Sequence, residues 1–82
     1  MSNSANMIAL VETMAKAIVD APEDVEVEAF DEGGQTVLEL FVADGDLGRV
    51  IGRQGRMARS LRTILHAASL RTRKRYQLEI LE

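Results

Sequence analysis

The sequence contains no cysteine, and no apolar run approaches the roughly 20 residues that a membrane-spanning helix needs. The lack of cysteine excludes disulfides and thiolate metal sites and is consistent with a reducing compartment. The N-terminal region has no basic leader and no continuous apolar block, because Glu12 and Lys16 interrupt its apolar residues. We therefore expect a cytoplasmic protein that is not a membrane protein.

Residues that usually carry catalysis or hold cofactors are equally scarce. His66 is the only histidine, and no serine, cysteine or carboxylate stands at motif spacing from it. Asp44-Gly45-Asp46 resembles the start of a calcium loop, but its twelfth position would be Gly55 instead of glutamate. The glycines fit neither the dinucleotide-binding spacing nor the phosphate-binding loop of NTPases. We expect no enzymatic activity, no metal or other cofactor and no small-molecule substrate.

The charges are distributed very unevenly. Nine of the 10 Lys and Arg residues lie between Gly48 and Arg75, a segment without Asp or Glu. The first 47 residues hold eleven of the 13 acidic residues, with Lys16 as their only base. Although the net charge is only -3, the two halves of the chain carry charges of opposite sign. The basic half should bind an anionic ligand.

Hydrophobic periodicity in the first half predicts one helix and two strands. Apolar residues at steps of three and four predict a helix from Met7 to Val19, which ends before Pro22. Alternating residues predict strands over 25–29 and 36–43. Gly33-Gly34 between them is typical of a hairpin turn, because glycine readily adopts positive φ.

The second half is predicted to contain two helices and a third strand. Asp44 or Asp46 is expected to cap a short helix over residues 47–51. A longer helix from about Arg56 to Leu70 follows, and its expected core arc is Met57, Leu61, Ile64, Leu65 and Ala68. The opposite face carries Arg59, Arg62 and His66. Leu70 falls among the polar positions, so either the helix ends there or Leu70 is an exposed contact.

Alternation over residues 76–80 completes the order αββααβ in a single α+β domain of 82 residues. The two hairpin strands should be antiparallel. The third strand, reached through the two helices, should lie parallel to the second with a right-handed connection. The sequence therefore predicts a three-stranded mixed sheet with helices packed on one face.

The loop from Gly52 to Gly55 is the strongest candidate for a binding site. Two glycines three residues apart are a weak signal, but this pair joins two predicted helices inside the acid-free segment, with Arg53 and Arg56 beside it. A phosphate chain approaches a backbone closely only where no Cβ intervenes. The amides at the start of the following helix also favour an anion. The alternative is a plain turn that needs glycine for its conformation.

The segment Val50-Ile51-Gly52-Arg53-Gln54-Gly55-Arg56 resembles the Ile-Gly-x-x-Gly loop of KH domains, and the element order is that of the type II KH fold. Over essentially its whole length the chain is similar to the KhpA family of small stand-alone bacterial KH proteins. This resemblance implies a single KH domain over residues 1–82, with residues 1–4 flexible.

The resemblance further implies a groove that holds about four nucleotides of single-stranded RNA, clamped at the glycine loop. The RNA-binding residues it implies are Arg49, Val50, Ile51, Gly52, Arg53, Gln54, Gly55, Arg56 and Arg59. Val50, Ile51, Leu61 and Leu40 are candidates for the apolar floor of the groove, with their division between core and groove left open. Arg71, Arg73, Lys74 and Arg75 either bind backbone farther along the RNA or complement a helix C-terminus.

For the whole chain, the resemblance implies an RNA chaperone or post-transcriptional regulator that forms a homodimer or a complex with a larger KhpB-like KH protein. It links the family to bacterial gene regulation in envelope growth, division and cell shape. The alternative is a protein-interaction adapter or dimerisation module in which RNA binding is secondary. A sheet that stacks bases on aromatic residues is disfavoured, because Phe30, Phe41 and Tyr76 are the only aromatics.

Overall fold

The computed structural model describes residues 3–81 and confirms the order αββααβ. The helices are α1 (Asn3–Ile18), α2 (Leu47–Ile51) and α3 (Arg56–Ser69), and the strands are β1 (Glu26–Glu32), β2 (Gln35–Phe41) and β3 (Arg75–Leu81). Single 3-10 turns occupy Pro22–Asp24, Asp44–Asp46 and Arg53–Gly55. Within residues 3–81, no helix has the length and apolar character to cross a membrane.

The three strands form one mixed sheet in the order β1-β2-β3, as predicted. β1 and β2 are antiparallel, with Phe30 opposite Val37, and β3 lies parallel to β2, with Leu78 beside Leu38. Gly33 and Gly34, at φ 58° and 85°, form the two-residue hairpin turn. α2 and α3 form the crossover between β2 and β3, so the loop between these helices belongs to this crossover.

The hydrophobic core fills the space between the helices and one face of the sheet. Its most deeply buried large side chains are Leu38, Leu40, Leu65, Val11 and Val50. These positions come from both layers, and other apolar residues of α1, α3 and β3 join them in one continuous cluster. The sheet therefore packs its helices on a single face, as predicted.

The expected core arc of α3 is wrong at two positions. Met57 is 37% exposed and Ile64 is 47% exposed, whereas Ala58 is buried together with Leu61 and Leu65. The buried stripe is centred on residues 58, 61 and 65, which leaves Met57 and Ile64 at its margin. Both interpretations of Leu70 hold, because α3 ends at Ser69 and Leu70 is exposed.

The N-terminal helix is longer than predicted. It begins at Asn3 instead of Met7 and ends at Ile18. Residues 3 and 4, which we expected to be flexible, belong to this helix, and residues 1 and 2 lie outside the described residues. The Ser4 hydroxyl lies 3.2 Å from the Tyr76 hydroxyl, so the first turn of α1 contacts the start of β3.

Neither Asp44 nor Asp46 caps α2 with its side chain, contrary to the prediction. The buried Asp46 carboxylate instead accepts hydrogen bonds from the backbone N–H groups of Asp20 and Ala21, both at 3.0 Å. These amides follow the end of α1, where the chain has left the helix. Asp46 therefore links the end of α1 to the start of α2 through hydrogen bonds. These bonds help to position α2, which leads into the glycine loop.

The sheet face turned away from the helices is strongly acidic. Glu39 lies between the buried Leu38 and Leu40, so its side chain points to this open face. Glu28 is directly opposite Glu39 on one side and Glu79 on the other, which places three carboxylates in one row across the sheet. Within residues 3–81, none of the three forms an ion pair. Like charges in direct cross-strand register are unfavourable.

Replacing the central carboxylate of this row should stabilise the protein. We expect Glu39→Gln to raise the free energy of unfolding by about 0.5–1 kcal/mol, because it removes two cross-strand repulsions. Urea denaturation at low salt measures the gain, which should shrink at high salt as the charges are screened. Glu26→Gln is the matched control, since Glu26 lies opposite Phe41. Equal stability of the two variants would show that the row is not unfavourable.

Candidate nucleic-acid interface

The loop between α2 and α3 is built from left-handed backbone conformations. Gly52 has φ 76° and ψ 173°, Gln54 has φ 57° and ψ 26°, and Gly55 has φ 74° and ψ 14°. The Gly55 N–H donates a hydrogen bond to the Gly52 carbonyl at 3.1 Å, which closes the turn. Gln54 is the one residue of the three that has a side chain, and its positive φ carries a strain of about 1–2 kcal/mol. Such strain is commonly found at functional sites.

Gly52 is required by the fold itself. A Cβ at this position would lie 2.7 Å from the Cβ of Met57 and 2.8 Å from its backbone nitrogen. Its φ and ψ values also fall in a region that is essentially restricted to glycine. A conformational requirement of the turn therefore accounts for Gly52, because this glycine lets the end of α2 approach the first turn of α3.

Gly55 is in a different environment. Apart from Gly55 itself and its two chain neighbours, no residue has an atom within 4 Å of the position that its Cβ would occupy. It directly precedes α3, and among the described residues no side chain caps the start of this helix. The first turn of a helix carries N–H groups without intrahelical acceptors and the positive end of the helix dipole. Gly55 thus leaves open space beside a backbone that favours anions.

The side chains around the loop add positive charge. Arg53, Gln54, Arg56 and Arg59 are all exposed, and for Arg59 this confirms its predicted place on the α3 face opposite the core. Across residues 3–81, the ion pairs involve only Arg49, whose guanidinium lies 2.9 Å from Asp20 and 3.7 Å from Asp46. Arg53, Arg56 and Arg59 therefore have no acidic partner among the described residues, whereas the charge of Arg49 is partly compensated.

The structure divides the candidate apolar floor between core and surface. Val50 has no exposed surface, so the structure places it in the core, and its contact with RNA stays a prediction. Leu40 and Leu61 are also core residues, whereas Ile51 is 39% exposed. Adjacent positions of a helix point in directions about 100° apart, which is why Val50 and Ile51 separate. Ile51 is the one candidate of the four that is substantially exposed.

A groove with a volume of about 460 Å³ lies between the second half of α3 and the first half of the edge strand β3. Its lining includes Arg62, His66, Leu70, Lys74, Arg75 and Gln77. The Arg62 Nε–H donates a hydrogen bond to the Leu78 carbonyl at 3.2 Å, and so links the two elements.

Sequence reasoning placed Arg59, Arg62 and His66 on one face of α3 but did not assign Arg62 and His66 to the lining of a groove. Their spacing of three and four residues was the available signal, because it defines a polar stripe. The order β1-β2-β3 makes β3 an edge strand of the sheet, and the polar stripe of α3 borders this edge. Within residues 3–81, no group of three or more His, Asp or Glu side chains is arranged to hold a metal ion.

The αββααβ order, the mixed sheet and the glycine loop between two helices together define a KH-type domain. Residues 8–80 match the family described as KhpA/KhpB, KH domain, and the chain belongs to this family. It is 42% identical to the RNA-binding protein KhpA of Borreliella burgdorferi over the full length of both chains. It is 48% identical to the RNA-binding protein KhpA of Aquifex aeolicus over 73 residues, which cover 89% of this chain and 92% of the relative.

Two solved structures share the fold at low sequence identity. Era of Aquifex aeolicus, in a crystal structure with GDP·AlF4⁻, matches with a TM-score of 0.68 and 15% identity, covering 98% of this chain and 31% of Era. Era in complex with MgGDPNP and nucleotides 1506–1542 of 16S ribosomal RNA matches with a TM-score of 0.65 and 16% identity, covering 90% of this chain and 28% of Era. This chain therefore corresponds to about a third of Era, and the likeness concerns the fold.

The two loop glycines should respond differently to a methyl group. Gly52→Ala should lower the free energy of unfolding by about 3 kcal/mol, because it combines a forbidden backbone conformation with overlap against the Met57 backbone. Gly55→Ala should cost about 1 kcal/mol, since it meets only the left-handed strain. Urea denaturation of both variants provides the comparison. Similar losses for the two variants would contradict the distinct roles assigned to these glycines.

Proposed function

We propose that this protein binds short single-stranded RNA through the loop from Gly52 to Gly55 and the groove between α3 and β3. The observation that carries the proposal is the open space at Gly55 beside the start of α3, surrounded by Arg53, Arg56 and Arg59 without acidic partners among the described residues. The relatives whose printed names are RNA-binding protein KhpA support the same class of ligand.

In this mechanism the loop binds phosphate and the groove accommodates bases. Backbone N–H groups at the start of α3 and the guanidinium groups of Arg53 and Arg56 stabilise phosphate oxygens. Ile51 offers an exposed apolar side chain for a neighbouring base. About three or four neutralised phosphates give an expected slope of about -2 to -3 for log affinity against log salt. Binding by one domain is therefore weak and dependent on ionic strength.

In the cell, this binding supports an RNA chaperone or post-transcriptional regulator that acts in the cytoplasm with a larger KhpB-like KH protein. The family resemblance supports this role and its link to envelope growth and cell shape. Weak single-domain affinity supports a partner as well, because two linked RNA-binding domains raise the effective concentration at the second site.

Reversing the charge of the loop should abolish RNA binding without unfolding the protein. We expect the double variant Arg53→Asp/Gln54→Asp to bind a single-stranded RNA pool at least tenfold more weakly, because two carboxylates would face the phosphates. Aspartate tolerates the left-handed conformation of Gln54, so the loop should retain its shape. Fluorescence anisotropy measures affinity, and circular dichroism measures folding.

The matched control is Thr13→Asp/Lys16→Asp, which changes the net charge by the same amount on exposed positions of α1. It should bind RNA almost as tightly as the parent protein. If the folded loop variant also binds like the parent, the loop is not the RNA site.

Dimerisation is a second candidate function, favoured by an apolar depression between α1 and α3. Ile64 lies within it and is about half exposed. Its other lining residues include Met7, Leu10, Ala67 and Ala68. We infer that a second copy, or the KhpB-like partner, covers this surface, since large apolar side chains are commonly exposed where a partner binds. The groove between α3 and β3 has a different lining, so both functions are compatible.

A charge in this depression should disrupt self-association. We expect Ile64→Asp to convert a concentration-dependent dimer into a monomer, because dimerisation would then bury a carboxylate. Sedimentation at several protein concentrations measures the mass. Thr63→Asp, on the neighbouring exposed position of α3, is the control and should still dimerise. This function would be excluded if the parent protein is monomeric at all concentrations and does not bind candidate partner proteins.

A further inference from the structure

We propose that the open face of the sheet, turned away from the helices, binds an arginine-containing basic segment of a partner protein. The segment lies across the strands and inserts an arginine side chain into a depression in this face, which we call the sheet depression. The inference goes beyond the proposed function, because the glycine loop belongs to the helical layer on the other face of the sheet.

The sheet depression has an apolar floor and an acidic rim. Its volume is about 370 Å³, and it is lined by Phe30, Asp31, Glu32, Val37, Glu39 and Glu79. Val37 is buried without belonging to the hydrophobic core between sheet and helices, and its cross-strand neighbour Phe30 is 47% exposed. Aromatic side chains are enriched where protein partners bind. The floor thus offers apolar contact area outside the core.

The surroundings of the sheet depression are strongly negative. Strand register places twelve residues on the open face, and five of them are glutamates: Glu26, Glu28, Glu32, Glu39 and Glu79. Arg75, at one corner of the face, is the one base among the twelve and does not line the sheet depression. Within residues 3–81, none of the five glutamates forms an ion pair. The face therefore attracts a cationic ligand and repels a polyanion.

The glutamate row makes a cationic ligand especially favourable. Glu39 has Glu28 opposite it on one side and Glu79 on the other, and this arrangement is unfavourable in the isolated protein. A cation bound among these carboxylates is attracted by all of them and reduces their mutual repulsion. Local features that reduce stability are commonly found at functional sites.

The guanidinium group of arginine suits the sheet depression better than a metal ion does. In the part of the chain that the structure describes, no three His, Asp or Glu side chains are close enough together to hold a metal. An arginine can lay its aliphatic stem on Val37 and stack its guanidinium on the ring of Phe30. The same group can donate paired hydrogen bonds to a rim carboxylate. Lysine lacks this planar fork and should bind less tightly.

The size of the open face favours a short segment over a folded partner. Each of the three strands has seven residues, so the face measures about 14 Å by 23 Å, roughly 320 Å². A stable interface between folded proteins buries about 800 Å² on each partner. A second copy of the chain would therefore need much more surface than this face provides. Basic segments of polypeptide are common as interaction tails, and an extended one fits the available area.

Peptide binding by variants of the sheet depression tests the inference. The probe is a fluorescein-labelled peptide of four arginine-serine repeats, and fluorescence anisotropy at low salt measures its affinity. We expect Glu39→Gln/Glu79→Gln to bind it about fivefold more weakly, because two exposed ion pairs are lost. Phe30→Leu should bind it about threefold more weakly, since leucine has no ring on which a guanidinium can stack. A lysine-serine peptide of the same length should bind the parent protein more weakly.

Glu23→Gln/Asp24→Asn is the matched control, because it removes the same charge from exposed positions before β1. Its affinity should stay within about twofold of the parent, since charges away from the contact are screened. Amide chemical shifts provide an independent measurement: the signals of Phe30, Val37 and Glu39 should move when the arginine-serine peptide is added. Circular dichroism verifies that each variant is folded.

Unchanged affinity of either folded variant of the sheet depression would overturn the inference, as would an equal loss in the control. Equally tight binding of free spermidine would also overturn it, because the site would then suit a small polyamine. Failure of the proposed function is a separate outcome. The Arg53→Asp/Gln54→Asp variant should bind the arginine-serine peptide at least as tightly as the parent, whether or not it binds RNA.

Discussion

The close approach of Gly52 to the backbone of Met57 is the constraint on which the binding surface depends. A side chain at Gly52 would overlap the first turn of α3. Because glycine removes that obstacle, α2 ends directly against α3 and the chain reverses within a few residues. The same reversal leaves the start of α3 open at Gly55 and turns Ile51 outward while Val50 remains in the core. One contact inside the fold thus creates the surface available to a ligand.

The fold also converts the uneven charge of the sequence into two faces of opposite sign. Arg62, Lys74 and Arg75 line the groove between α3 and β3, whereas the glutamate row occupies the open face of the sheet. Such a separation of charge attracts a polyanion to one side of a molecule and repels it from the other. The glutamate row, which has no ion-pair partner among residues 3–81, is unfavourable for stability because its like charges lie in direct cross-strand register.

Asp46 and Arg49 connect these two halves. The Asp46 carboxylate holds the amides that follow α1, and the Arg49 guanidinium contacts both Asp46 and Asp20. Two charges at the boundary between the acidic and basic segments are therefore used to position α2. This arrangement explains why Arg49 differs from the loop arginines. Its interactions are directed toward the protein, whereas Arg53 and Arg56 are exposed and have no acidic partner among residues 3–81.

The element order, strand pairing and position of the glycine loop followed from the sequence, because each depends on local periodicity, on turn residues or on the handedness of crossovers. The exposure of Arg59 was predictable from the same periodicity. The tertiary structure alone decided that Met57 and Ile64 are exposed, that Val50 is buried and that Asp46 binds distant amides. It also placed the α3 stripe against the edge of β3 to form the groove. These outcomes depend on which elements pack together and at what angle. Contacts between residues far apart in the chain produce no periodic pattern in the sequence from which they could be predicted.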